Sequence, residues 1–410
     1  MNEVLVIGGG AAGLMAAAEA AANGARVTLL ERNEKLGKKI YITGKGRCNV
    51  TNDCAAEAFR QNVVRNPRFL YSALDALSPA ELREKLAAWG CPTMVERGDR
   101  VFPQSEKASD VTRAFEHELR RLGVNVRLNA RVKALSVADG HIAGAVLENG
   151  EALRADAVIV CTGGQSYPST GSTGDGWTLL QGCGHTLLPA RPSLIPLRCE
   201  PGWATSLMGL SLRNVRLTLR VGKKEKFSDV GGMLFTHFGV SGPLVLSASS
   251  HMASEKLADC ALTLDLKPGL NEKQLDERIQ RDVREAGKKR VGTLLCGLYP
   301  ARLADVMARL CGVDAEKMAN LLTREERARL VSETKALRIP VTGPDSLEAA
   351  VVTRGGVDVK EITPGTMESK KVAGLYAAGE LLDVDALTGG FNLQIAFSTG
   401  CLAGRSAAKA

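Results

Sequence analysis

Glu3-Val-Leu-Val-Ile-Gly8-Gly9-Gly10-Ala11-Ala12-Gly13 is the stretch whose reading decides the fold. Its short, β-branched apolar run reads as a buried parallel strand. The six residues Gly8 to Gly13 then fit G-x-G-x-x-G. Leu14 to Asn23 is alanine-rich and helical by propensity, ended by Gly24, and Arg26 to Leu30 reads as a second strand with Glu31 at its end. Gly8 permits a tight turn from strand to helix, Gly10 lets bare backbone approach a pyrophosphate, and Gly13 lets the helix pack on the strand. The helix N-terminus offers free N–H groups and a positive dipole end to phosphates. Gly8, Gly10, Ala11, Ala12 and Gly13 are therefore expected to contact a dinucleotide. Glu31 is expected to bond its adenosine ribose and to repel a 2′-phosphate.

The next segment, Arg32 to Asn52 (RNEKLGKKIYITGKGRCNVTN), is dense in Gly, Lys, Arg, Asn and Thr. That composition suits a loop wrapped around phosphates and a polar ring. An NAD-first domain would return to helix and strand within about six residues, so the segment favours FAD. Arg32, Lys38, Gly44, Gly46 and Arg47 are its expected contacts.

Further along, Pro67 to Trp89 reads as helical, as does Ala108 to Leu122 with Ser109-Asp110 as its cap signal. Short strands are expected around Val124 to Arg154, with turns at Asp139-Gly140 and Asn149-Gly150. Asp156 to Cys161 is another buried strand running into Thr162-Gly163-Gly164, where bare backbone would meet the cofactor. Composition shifts near Pro189 to Pro192. Leu194 to Leu266 alternates like antiparallel structure, and Asn271 to about Thr334 is helical and charged. Gly374 to Glu380 is again a strand running into glycine and an acid, and Phe397 to Ala408 reads as a helix. The expected organisation is 1–189 as the first part of an α/β Rossmann-type FAD-binding domain, 190–270 as an inserted antiparallel, β-barrel-like domain, 271–345 as a helical subdomain, and 346–410 as the second part of the FAD-binding domain.

With 410 residues, more than one domain is expected. Aromatics make up only 4%, which argues against a single-strand binder built on rows of stacking rings. No run of eighteen apolar residues predicts a membrane span. The first apolar stretch is too short for a signal peptide. Ten scattered cysteines without a CxxC pair suggest free thiols in a reducing cytoplasm, and no metal-ligand cluster is visible. The net charge of +8 favours an anionic partner, or simply marks a basic enzyme.

GGGAAGLMAA (8–17), KKIYITGKGRCNVTN (38–52), TGG (162–164), GGMLFTHFGVSGP (232–243), VVTRGGVDVKEI (351–362) and TMESKKVAGLYAAGELLDVDALTGGFNLQIAFSTG (366–400) together resemble the aminoacetone-oxidase-like FAD flavoprotein family, a group with bile-acid-reductase-like and ribosomal RNA dihydrouridine synthase-like members. The resemblance implies a two-dinucleotide-binding-fold flavoprotein with an inserted domain. It implies that Gly379, Glu380, Asn392, Leu393 and Gln394 border the flavin; Asp383 lies in the same block. Lys45 stands where relatives often carry a third glycine, and its effect is open.

Flavin would carry the redox chemistry. No second G-x-G-x-x-G follows a strand, so NAD(P)H is expected to dock transiently rather than in its own domain. Cys48 has three readings: a proton donor whose pKa is set by Arg47 and loop N–H groups, a redox partner of Cys54, or a small packing residue. His237 could act on substrate from the inserted domain or be a packed histidine. The leading expectation is reduction of a C=C bond, in uridine of rRNA or in an unsaturated steroid. Basic residues of the helical part would then contact phosphate. The alternatives are FAD-dependent oxidation of a small amine by O2, and a non-catalytic flavin redox sensor or RNA-binding flavoprotein.

Overall fold

Five short strands build a parallel sheet, four of them apolar runs that turn inward and the third an exposed edge: β1 (Glu3–Ile7), β2 (Arg26–Leu30), β3 (Asn125–Arg127), β4 (Ala157–Val160) and β5 (Leu375–Ala377). The computed structural model describes residues 1–252 and 255–410. The strands lie in the order β5-β4-β1-β2-β3. All four residues of β4 are buried, as a strand covered on both faces requires. The chain leaves β1 toward β2 on one side, and β4 lies on the other. The order therefore reverses at β1, where open α/β sheets hold their ligands beyond the carboxyl ends.

Helix α1 (Ala11–Ala22) covers the sheet, and α3 (Phe391–Ala407), from the other end of the chain, packs on α1 backbone to backbone. A Cβ on Gly400 would lie 2.2 Å from the carbonyl oxygen of Ala12, and one on Gly404 would lie 2.3 Å from that of Ala16. Only glycine allows that approach. Glu19, buried on α1, pairs with Arg405 of α3 at 2.7 Å and with Lys85 at 2.8 Å, so its burial is compensated.

Several expectations change. Pro67 to Trp89 is not one helix: it breaks at Leu77-Ser78, because Ser78 caps Pro79–Ala88 reciprocally with Glu81 and a proline takes the first helical position. Ser109 and Asp110 lie inside the first turn of Ala108–Arg121, and Lys107 occupies the cap without a side-chain bond. Within Arg32 to Asn52 the chain forms a short helix, α2 (Lys38–Ile42), and a 3-10 turn at Thr43–Gly46. The C-terminal helix starts at Phe391 rather than Phe397. Gly389 and Gly390, at φ +130° and +100°, end the loop there, and Phe391 packs edge-on to Phe59 at 5.1 Å.

The chain divides into two units, Met1–Ser193 with Ser346–Ala410, and Leu194–Asp345. The second contains a seven-stranded antiparallel sheet. Its first and last strands in spatial order are Leu337–Ile339 and Val341–Pro344, separated in sequence by Pro340 alone. One continuous segment thus supplies both edge strands of the sheet. The region from Asn271 is accordingly not purely helical. After Glu272–Ala286, Val291–Cys296, Ala301–Leu310 and Arg324–Ala336, the apolar alternation of Leu337 and Ile339 pairs with Cys260–Asp265.

Candidate functional site

The carboxyl ends of β1, β2, β4 and β5 meet along one edge of the parallel sheet. After β1, Gly8 takes φ +103°, and a Cβ there would lie 2.6 Å from the carbonyl oxygen of Cys161 at the end of β4. A Cβ on Gly13 would lie 1.8 Å from the carbonyl oxygen of Gly8, whereas one on Gly10 would meet nothing within 4 Å. Gly8 and Gly13 thus serve the turn, and Gly10 faces open space. Ala11, Ala12 and Gly13 precede Leu14, the first intrahelical donor, so their N–H groups project from the helix end. Glu31 is buried at the end of β2. Its Oε2 accepts from the Gly9 N–H at 2.7 Å, and its Oε1 accepts from the Asn33 N–H at 2.8 Å and the Asn33 amide at 2.6 Å. Those bonds fix the carboxylate at the mouth of the turn.

A second cluster joins the ends of β4 and β5. Glu380, just after β5, accepts from Ser166 Oγ and from the Thr353 N–H, both at 2.8 Å, and pairs with Lys39 Nζ at 2.6 Å. Lys39 also donates to Ser166 Oγ at 2.7 Å. Lys38, expected as a cofactor contact, pairs with Glu34 at 2.8 Å and donates to Asn33 Oδ1 at 3.3 Å. Thr353 Oγ1 accepts from the N–H groups of Gln165 and Ser166, and Gly164 packs against it so closely that a Cβ would lie 2.7 Å from that oxygen. Gly163 (φ +75°) lets the turn pass Ser172. Arg32 reaches Asp175 at 2.8 Å and Thr173 at 2.6 Å.

The segment Asn49 to Asn52 runs beside the start of α3. A Cβ on Gly390 would lie 2.2 Å from the carbonyl oxygen of Thr51, and the Asn52 amide donates to the carbonyl of Gly389 at 3.1 Å. The side chain of Asn392 clasps the N–H and carbonyl of Ala386 at 2.9 and 2.8 Å, and that of Gln394 is buried on the carbonyl of Leu77 and on Ser398. At this helix end the backbone N–H groups are joined by two buried side-chain oxygens without a partner, Gln394 Oε1 and Thr51 Oγ1, and Leu393 is half-buried beside them. Gly379 (φ +81°) donates its N–H to Thr399 of α3 at 3.0 Å and lies against Ala12. Asp383 is buried and accepts from Arg65 at 2.7 Å and from the Gly355 N–H at 3.1 Å.

Cys48 is completely buried, in a left-handed conformation (φ +60°). Burial pushes its thiol up to about 12 against a hydrogen bond with Thr43. The expectation that Arg47 tunes this thiol is corrected. The Arg47 guanidinium pairs with Glu96 and Glu106 and lies 4.2 Å over the Phe102 ring. Gly44, at φ +56°, packs against Asn49 and Phe102, and Gly46, at φ +86°, closes the turn. His237 belongs to the other unit, on the exposed turn between Lys224–Thr236 and Gly239–Ser241, edge-on to Phe238 at 4.9 Å.

Whether these residues suit an adenine dinucleotide with a polar ring is answered by buried atoms that lack a protein partner. Thr162 Oγ1, Asn49 Oδ1 and Thr51 Oγ1 are three of them, all on segments that line this edge. With the open Gly10 turn and two helix N-termini nearby, the donor set fits FAD. Sequence reasoning missed Lys39, Ser166, Thr353 and Asn52. Lys39 differs from Lys38 by one position, and its partner Glu380 is 341 residues away, so no local signal separates the two lysines.

The family model "HI0933-like protein Rossmann domain" matches residues 2–406. The chain is 33% identical over 414 residues to a 3-dehydro-bile acid delta(4,6)-reductase from Clostridium scindens, covering all of both chains. It is 32% identical to a ribosomal RNA dihydrouridine synthase from Haemophilus influenzae, over 97% of this chain and 96% of that protein. Among solved structures, a 3-ketosteroid-delta4-(5alpha)-dehydrogenase from Rhodococcus jostii superposes with a TM-score of 0.51 at 18% identity, over 100% of this chain and 97% of the other, a likeness of fold. Among the described residues no helix is long and apolar enough to cross a membrane.

Proposed function

The chain belongs to the HI0933-like family of Rossmann-domain flavoproteins, and from that premise we propose that the sheet edge holds FAD and that the protein reduces a C=C bond with electrons from NAD(P)H. FAD, when bound, supplies the two-electron chemistry. The chain's residues supply orientation and charge. The N–H groups of Ala11, Ala12 and Gly13 face the pyrophosphate across the bare Gly10. Glu31, held by Gly9 and Asn33, presents its remaining lone pairs to ribose hydroxyls. The N-terminus of α3 brings a positive dipole end to negative charge on the ring, with Asn392 bracing the loop before it. Lys39 and Glu380 neutralise each other and hold the turns after β4 and β5 together. Cys48, sealed from solvent, acts as packing in this reading. His237 stays a candidate for contact with substrate.

The observation that carries the proposal is the backbone contact of α1 with α3, which brings glycine turns from both ends of the chain to one place. A delta(4,6)-reductase and a dihydrouridine synthase share one change, saturation of a ring C=C bond, on unlike substrates. That supports the bond change ahead of any single substrate. The test is to reduce the purified flavoprotein without oxygen, then mix it rapidly with an unsaturated 3-ketosteroid, with rRNA and with O2. Re-oxidation by the steroid or the RNA faster than by O2 is expected. Colourless protein, or re-oxidation by O2 alone, overturns the proposal. Bleaching of the oxidised flavin by NADPH or NADH tests the electron source.

A further inference from the structure

We propose that the outer face of the antiparallel sheet in Leu194–Asp345 is a contact surface for the phosphate backbone of RNA. The inference deepens the rRNA candidate of the proposed function, on which its choice of partner rests, and its observations come from this unit alone. The unit holds 24 of the 53 Lys and Arg and 18 of the 45 Asp and Glu, so +6 of the net +8 lies here. Part of that excess lies on one face of the sheet. Along Ser211–Val221, Leu212, Val215, Leu217 and Leu219 are buried, while Arg213, Arg216 and Arg220 are exposed. On the edge strand Leu337–Ile339 the one outward residue is Arg338. The strand register puts Arg338, Thr263, Thr218 and Ser228 in one row across four strands, and the Thr218 and Ser228 hydroxyls lie 3.1 Å apart. Arginines thus flank a line of hydroxyls on a surface stiffened from below by the apolar core.

Among the described residues, Arg213, Arg216 and Arg338 make no ion pair, and Arg220 is 4.0 Å from Glu225. The acids nearby are engaged. Asp265, opposite Arg216, pairs with Lys335 at 2.6 Å, and Asp229 accepts from the N–H of Val230. Most cations of the helices have partners too: Arg278 with Asp282, Arg290 with Glu316, Lys317 with Glu326 and Arg327 with Asp276. That leaves fewer unpaired cations on the helices than their composition suggests, and it favours the sheet as the place of phosphate contact. Among the described residues, Arg284, Lys288 and Lys289 stand close together in sequence as a competing basic group, and Arg309 and Arg324 of the helices and Lys223 and Lys224 of the hairpin make no ion pair either. Planar guanidinium groups match phosphate oxygens in pairs. Neighbouring strands spaced by about 4.8 Å give a repeating array. Ser and Thr hydroxyls bond phosphate and the 2′-hydroxyl alike, which favours RNA over DNA.

The experiment uses the full-length flavoprotein, a fluorescent structured RNA of about thirty nucleotides, its DNA counterpart and anionic phospholipid vesicles. Affinity is measured between roughly 50 and 200 mM salt. R213A/R216A/R338A is expected to weaken RNA binding at least tenfold and to lower the log–log salt slope by about 2–3, as the loss of three phosphate contacts requires. R284A/K288A/K289A is expected to change binding less than threefold, and both variants are expected to keep their flavin and their rate with a small steroid acceptor. The proposal is overturned if the wild type binds no RNA at the low salt, if DNA or vesicles bind as tightly, or if the helix variant and not the sheet variant loses RNA. Flavin content and steroid turnover report on the proposed function separately, so either reading can fail without the other.

Discussion

In Met1–Ser193 with Ser346–Ala410, what is offered to a ligand is backbone: glycine turns, helix ends and one fixed carboxylate. In Leu194–Asp345 it is side-chain cation, laid out on strands. The first unit carries 29 Lys and Arg against 27 Asp and Glu, close to neutral, and the second carries the excess. The difference teaches how each kind of recognition tolerates change. Bare backbone works only where a Cβ is impossible, so it fails at a single methyl group. An arginine array acts through summed charge, so it fails gradually and leaves the fold untouched.

The sharpest break in that contrast is Gly13→Ala or Gly400→Ala. A Cβ there would sit 1.8 or 2.2 Å from a carbonyl oxygen. Either change is expected to cost at least about 4 kcal/mol, in the range of exceptional single substitutions, and to give insoluble or colourless protein. Soluble yellow protein would show that α1 and α3 can separate without loss of the site. Next in size is Glu380→Ala, which removes the charge partner of Lys39 and the acceptor of the Thr353 N–H. A loss of about 2–3 kcal/mol in denaturant unfolding is expected, together with weaker flavin retention. An unchanged midpoint would make the pair a surface contact.

Cys48→Ala is expected to cost about 1 kcal/mol by leaving a small buried void, with no change in flavin re-oxidation. A rate loss beyond tenfold would restore the thiol as a proton donor. Glu361 gives a pH signature. Burial opposes its charge, but Lys371 and the N–H and hydroxyl of Thr186 overcome that and hold its carboxyl down to about 2. Its folded pKa lies below the unfolded one. Its contribution is therefore present above about 4.5 and is lost as pH falls toward 2, and Glu361→Gln is expected to flatten that acid limb. Least of all, R213A/R216A/R338A is expected to shift stability by under about 0.5 kcal/mol, as exposed substitutions do. A larger loss would mean that those arginines hold the sheet.

The dinucleotide turn was legible because its information is local. Strand, glycines, helix and Glu31 lie within the first thirty-one residues, and each glycine's need follows from its own spacing. The antiparallel character of Leu194 to Leu266 could likewise be read from alternation, although the helix Pro243–Met252 within it was not. What could not be read depends on neighbours distant in sequence. The start of α3 at Phe391 is set by two left-handed glycines and by Phe59, and the sealing of Cys48 by the elements that pack around it.

The sequence alone determined that β1, its glycine turn and α1 form a nucleotide-binding unit, since backbone conformation at glycine and residue periodicity are properties of a few consecutive residues. Only the tertiary structure decided that Lys39 rather than Lys38 meets Glu380, that Asn392 and Gln394 brace backbone, that Pro340 joins both edges of one sheet, and that the unpaired arginines share its outer face. The physical reason is that burial and ion pairing act over a few ångströms of space, and the chain brings those few ångströms together from positions hundreds of residues apart.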